Sequence, residues 1–71
     1  MRVSFFNEDN IELSRNKCDL KYMNIILQSD IILIEGLPYT KDQVSAIVEP
    51  VRGGQADEVY VDKVNIKLKS Y

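Results

Sequence analysis

The sequence contains no histidine, no tryptophan and a single cysteine, Cys18, with only two prolines and three glycines. Without histidine the chain lacks the commonest general base and the commonest metal ligand of neutral pH. One cysteine closes no intramolecular disulfide, which excludes the framework that staples most small secreted domains. The sparse glycines form neither a Walker loop nor a dinucleotide fingerprint. Long apolar runs are also missing. The longest, Ile31 to Ile34, falls far short of the roughly 20 residues of a membrane-spanning helix. The first residues, Met1 to Phe6, meet Glu8 and Asp9 before an apolar segment can develop. No targeting signal is therefore expected, and a cytoplasmic location is the default expectation. The excess of one charge is small: the formal net charge is −2 and the pI about 4.9. A mildly acidic domain is a poor candidate for non-specific nucleic-acid binding, which depends on neutralising phosphates.

What remains is 71 residues, 45% hydrophobic and 28% charged, the composition of one small globular domain. A chain of this size buries only about 60% of its unfolded surface. Its core alone rarely supplies more than roughly 3–5 kcal/mol. A partner is the expected supplement, since staple and metal are both excluded. Isoleucine and valine are frequent, while alanine occurs only at Ala46 and Ala56. Side chains branched at Cβ fit a pleated sheet better than a helix.

Arg2 to Phe6 reads as a strand, Asn7 to Asn10 as a polar turn, and Ile11 to Ser14 as the returning strand of a hairpin. Arg15 to Asp19 reads as a loop. Residues 20–28 carry two patterns. Leu20, Met23 and Leu27 have helical spacing behind a possible cap at Asp19, whereas Met23, Ile25 and Leu27 alternate as a strand. The strand is the preferred reading, turning at Gln28-Ser29-Asp30 into Ile31 to Glu35. Because Ile31 to Ile34 is apolar on both faces, it suits a covered central strand or a subunit interface.

The helix is expected over residues 41–49. Thr40 and Gln43 make a capping box, Asp42 suits the helix dipole, and Pro50 ends the segment. Val44, Ile47 and Val48 form an apolar stripe that must pack on a sheet. Val51 to Asp57 reads as a loop around Gly53-Gly54. The strand segments Val59 to Val61 and Val64 to Leu68 differ in inward parity, which points to a β-bulge at Asp62-Lys63 rather than a tight turn. The expected fold is α+β: an antiparallel sheet of about five or six short strands with one helix packed on one face.

Several residue groups are candidates for function. Lys63, Asn65, Lys67, Lys69 and Tyr71 share one strand face. The preferred reading is a solvent face whose lysines discourage edge pairing. The alternative is phosphate contact by Lys63, Lys67 and Lys69, with Tyr60 or Tyr71 stacking on bases. Arg52-Gly53-Gly54 reads as a turn, and the pairs Glu8-Asp9 and Asp57-Glu58, with Asp62 nearby, lack the spacing of a calcium loop. Cys18, between Lys17 and Lys21, is expected to be an inert, partly buried thiol. Leu37 reads as a staple onto Val44, or with Tyr39 as an anchor for a partner. The function these readings favour is a small non-catalytic regulatory or interaction protein that contacts another protein, most simply its own copy as a homodimer. Ile32, Leu33, Ile34, Leu37 and Tyr39 are the expected contact residues. The alternative is a nucleic-acid-associated module using Lys63, Lys67, Lys69 and Tyr71. No catalytic residue, cofactor, metal, membrane or small-molecule substrate is expected. The Asn-, Ile- and Lys-rich character suits an AT-rich genome such as that of a phage or mobile element.

Overall fold

The computed structural model of the protein describes residues 1–50 and 59–71, with side chains over 1–47 and 63–71. Six elements follow one another: β1 (Arg2–Phe6), β2 (Glu12–Lys17), α1 (Leu20–Gln28), β3 (Ile32–Ile34), β4 (Leu37–Pro50) and β5 (Val59–Ser70). The strands form one sheet in the order β2-β1-β5-β4-β3. It curls into a half-barrel with α1 packed against it.

The α+β class, the five strands and the single helix agree with the sequence reading, but the helix lies elsewhere. Residues 41–49 belong to β4, which pairs antiparallel with β5 from Tyr39↔Ser70 to Pro50↔Val59. Two bulges explain the misreading. The register steps from Lys41↔Leu68 to Gln43↔Lys67, leaving Asp42 extra, and again from Ile47↔Lys63 to Val48↔Val61, leaving Asp62 extra. Each bulge breaks the period of two. The spacing of Val44, Ile47 and Val48 therefore imitates a helical stripe. Thr40 caps nothing, and Leu37 is no helix staple, because no helix follows them. The bulge at Asp62 is the one inferred from parity.

The helix occupies 20–28 instead, where a second hairpin was expected. Asp19 has extended backbone, and its carboxylate accepts from the Tyr22 N–H at 3.0 Å. That satisfies one of the orphan donors of the first turn. At the other end the Ser29 hydroxyl donates to the Ile25 carbonyl at 2.6 Å, and Lys41 Nζ donates to the carbonyls of Ile26 and Leu27. A cation at this end also complements the helix dipole. Nine residues make too short a helix to persist alone, so these caps and the packing of Met23 and Ile26 hold it.

The sheet is mixed rather than purely antiparallel. β1 and β5 run parallel, with Arg2↔Lys63 through Phe6↔Lys67, while β1–β2, β3–β4 and β4–β5 are antiparallel. The β1–β2 turn is built by Asn7, whose side-chain oxygen accepts from the N–H groups of Asp9 and Ile11 at 2.9 and 3.0 Å. Asn10 takes the left-handed conformation that asparagine tolerates. Glu35 and Gly36 both have positive φ, 52° and 80°. They form the two-residue turn that matches the twist of the β3–β4 hairpin. Gly36 thus closes a hairpin, not a break before a helix.

Alternation along β5 places Val64, Ile66 and Leu68 in the core with Val3, Phe5 and Met23. Leu13, Cys18, Ile26, Ile32, Ile34 and Tyr39 pack around them. We expect Ile66→Ala, at a fully buried position, to cost about 2–5 kcal/mol. Asp19→Ala should cost about 1 kcal/mol through the lost cap. Thr40→Ala should cost less than Asp19→Ala. Urea melts of the three variants check this; the reverse order for the two polar positions would return the helix to residues 41–49.

Candidate functional site

β3 is an edge strand, and the five contact residues expected from the sequence lie on its hairpin with β4. The structure divides them. Ile32, Ile34 and Tyr39 are half-buried against the core, so they hold the hairpin in place. Leu33 and Leu37 are 67% and 59% exposed. Ile31, just before β3, is exposed as well. Ile31 to Ile34 is therefore not a central strand covered on both faces; its two-sided apolar character belongs to an edge.

The larger apolar surface is on α1, which the strand reading of residues 20–28 could not reveal. Six of its nine residues are Leu20, Tyr22, Met23, Ile25, Ile26 and Leu27. Only Met23 is buried, while Leu20 and Ile25 are 65% and 54% exposed, and Tyr22 and Leu27 are exposed too. A surface helix of a self-sufficient domain is normally polar on its outer side. Here Lys21, Asn24 and Gln28, at i, i+3 and i+7, form a narrow polar stripe opposite Met23, and the apolar residues flanking it are left exposed. Beside the helix a groove of about 410 Å³ runs between the two edge strands of the half-barrel. Leu13 and Asn16 line it from β2, Ile32 and Leu33 from β3, and Ile26 from α1.

The sheet face away from α1 has different chemistry. Cross-strand register puts Lys63, Asn65 and Lys67 of β5 beside Arg2, Ser4 and Phe6 of β1, and beside Ile47, Ser45 and Gln43 of β4. Lys17, Arg15 and Glu12 of β2 continue the same face. β5 is flanked on both sides, so its lysines have no edge to protect. That removes the edge-guarding reason given for them from the sequence alone. Asn65 Oδ1 is buried on this face with no hydrogen-bond partner among the described residues. Arg15 grips Glu12 through two hydrogen bonds of 2.9 Å. This guanidinium holds the Glu12 carboxyl below the usual glutamate range, with smaller help from Ser4 and from the charge of Lys63.

The remaining candidates stay apart from both surfaces or lie outside the described residues. Glu8 accepts from the Ser70 N–H at 3.2 Å, tying the β1–β2 turn to the end of β5. Cys18 is half-buried against the core. The loop Val51 to Asp57 with Arg52-Gly53-Gly54, the acidic pair Asp57-Glu58, and the side chains of Tyr60 and Asp62 lie outside the described residues. Among the described residues, no group of three or more metal-ligating side chains converges, and no helix is long and apolar enough to cross a membrane. Comparison with protein-family models, curated proteins and solved structures returned no significant match.

The Glu12–Arg15 pair gives a direct check of the open face. Its lowered carboxyl pKa favours folding above the unfolded glutamate pKa, and that contribution is lost as pH falls through the folded value. We expect the Glu12 carboxyl to titrate below an ordinary glutamate by NMR, and to return upward in Arg15→Ala. A normal Glu12 titration in the unaltered protein would show that the pair does not form in solution.

Proposed function

We propose that this chain is a small non-catalytic interaction protein that binds another protein, its own copy first, through the exposed side of α1 and the β3–β4 hairpin. The observation that carries this reading is the short helix α1, which buries Met23 but leaves Leu20, Tyr22, Ile25 and Leu27 exposed beside its outward polar stripe. Contiguous apolar patches larger than a few hundred Å² are rare on soluble monomers and mark interaction sites. The small core points the same way, because association adds burial that the single chain does not supply.

Covering about 400 Å² of apolar surface per subunit would return roughly 10 kcal/mol at about 25 cal/mol/Å². Lost translational and rotational freedom consumes much of that, which makes micromolar affinity the expectation. A two-fold arrangement is the simplest closed solution, since one patch then meets itself. Leu33 and Leu37 serve as contact residues in this reading, joined by Leu20, Ile25 and Ile31. Ile32, Ile34 and Tyr39 support the hairpin from beneath.

Sedimentation velocity over about 2–100 µM, concentrations chosen to bracket micromolar affinity, should show a shift toward twice the monomer mass of 8.2 kDa. Ile25→Asp and Leu33→Asp should abolish the shift while leaving the circular-dichroism spectrum and melting midpoint close to those of the parent. A single monomeric species over the whole range would overturn self-association and leave a different protein as the partner.

A further inference from the structure

We infer that the open face of the sheet, turned away from α1, is a binding surface for single-stranded nucleic acid. The charge distribution is the first observation. Six of the nine lysines and arginines fall on this face by register: Arg2, Arg15, Lys17, Lys63, Lys67 and Lys69. Only two described carboxylates, Glu12 and Asp42, accompany them. Among the described side chains, six cations against two anions leave +4 on one face of a chain whose total is −2. Glu12 neutralises Arg15 at 2.9 Å, and Asp42 neutralises Lys69 at 3.2 Å. Arg2, Lys17, Lys63 and Lys67 have no carboxylate partner among the described residues. Such segregation complements a polyanion and is not required by folding, since β5 is a central strand with no edge to guard.

The second observation separates nucleic acid from a generic acidic partner. Beside Lys67 lies a cleft of about 250 Å³, lined also by Phe6, Asn10, Gln43, Ser45 and Asn65. It offers the donors and acceptors of three carboxamides beside an aromatic ring. Asn65 lines this cleft with its buried Oδ1 unpaired among the described residues. Buried polar atoms are normally paired, so this acceptor suits a ligand that brings its own donor. Carboxamides match the donor–acceptor edges of bases, and aromatic rings stack on their faces. Tyr71, 75% exposed, continues the alternation of β5 and supplies a second ring. Those base edges are open only in a single strand, and a broad sheet face enters neither groove of a duplex. Alternate residues along a strand repeat at about 6.7 Å, a step comparable to one extended nucleotide. An acidic peptide would engage the lysines and could pair with the carboxamides, but it brings no base to stack on the rings.

Fluorescence anisotropy with labelled 20-nucleotide single-stranded DNA and RNA of mixed sequence tests this. Four free cations predict a salt slope of about −2.8, or about a 50-fold loss of affinity between 50 and 200 mM salt. Lys63→Gln with Lys67→Gln should halve that slope to about −1.4. Tyr71→Ala should weaken binding several-fold and leave the slope unchanged. Lys21→Gln, on α1, should change neither. Lys67→Gln alone serves as a smaller step should the double variant fold poorly. The inference is overturned by no anisotropy change at 50 mM salt and 100 µM protein, or by binding that ignores the lysine substitutions. Equal affinity for poly-glutamate of matched charge would also overturn it, in favour of a generic acidic ligand.

Discussion

Every other element of this protein is located by β5. It lies at the centre of the sheet and joins the β1–β2 hairpin to the β3–β4 hairpin, parallel to β1 and antiparallel to β4. Its alternation separates two environments. Val64, Ile66 and Leu68 enter the core, while Lys63, Asn65 and Lys67 face the other way. A slip of one residue would exchange these sets and bury the lysines. The bulges at Asp42 and Asp62 absorb mismatch within the long β4–β5 ladder, letting the central run stay in phase with β1 despite the length of the hairpin.

α1 depends on that frame in a particular way. Lys41 sits opposite Leu68, and from this core-facing position its ammonium reaches the last carbonyls of the helix. A residue of β4 thereby supplies the C-terminal cap that no basic residue in the last turn of α1 supplies. Asp19 holds the other end. With both ends tethered, Met23 and Ile26 meet the core, and the remaining apolar residues are turned outward as a consequence of helical geometry rather than of looseness. The exposed Leu20 and Ile25 follow from a helix nine residues long that is apolar on more sides than one sheet can cover.

Much of this was legible in the amino-acid order, and the failures have definite causes. The first hairpin and the parity break at Asp62 rest on local patterns with which the structure agrees, although β2 continues through Lys17 where a loop was expected, and the segment expected as a covered central strand or a subunit interface is an edge strand. The helix was misplaced because two local signals were each ambiguous. Thr40 and Gln43 have capping-box spacing, yet their backbone groups belong to the β4–β5 ladder. Met23, Ile25 and Leu27 alternate like a strand, yet the cap at Asp19 decides for the helix. Tertiary pairing overrode propensity in β4, as it often does where a central strand needs a neighbour. For the candidate surfaces, Leu33, Leu37 and the lysines of β5 were readable from their own strands. Arg2, Arg15 and Lys17 were not, because their sharing a face with Lys63 and Lys67 requires the register of three strands. Leu20, Tyr22 and Ile25 were hidden by the choice of strand over helix.

The α1 surface and the basic face lie on opposite sides of one sheet, with Leu33, which alternates with the core-facing Ile32 and Ile34, at the β3 edge on the basic side; this geometry bears on how the two would act together. An apolar contact made through α1 and the β3–β4 hairpin leaves the basic face uncovered. In a two-fold dimer joined there, both basic faces point away from the junction. A strand of nucleic acid long enough to reach both would then meet two sets of cations and two carboxamide clefts. The second contact is intramolecular, so modest affinity per face would suffice for firm binding, provided the strand spans the distance. Salt would weaken the sheet-face contact steeply and leave the apolar junction largely unaffected. The two proposed interactions would therefore be separable by ionic strength alone, although the net charge of the chain is small and acidic.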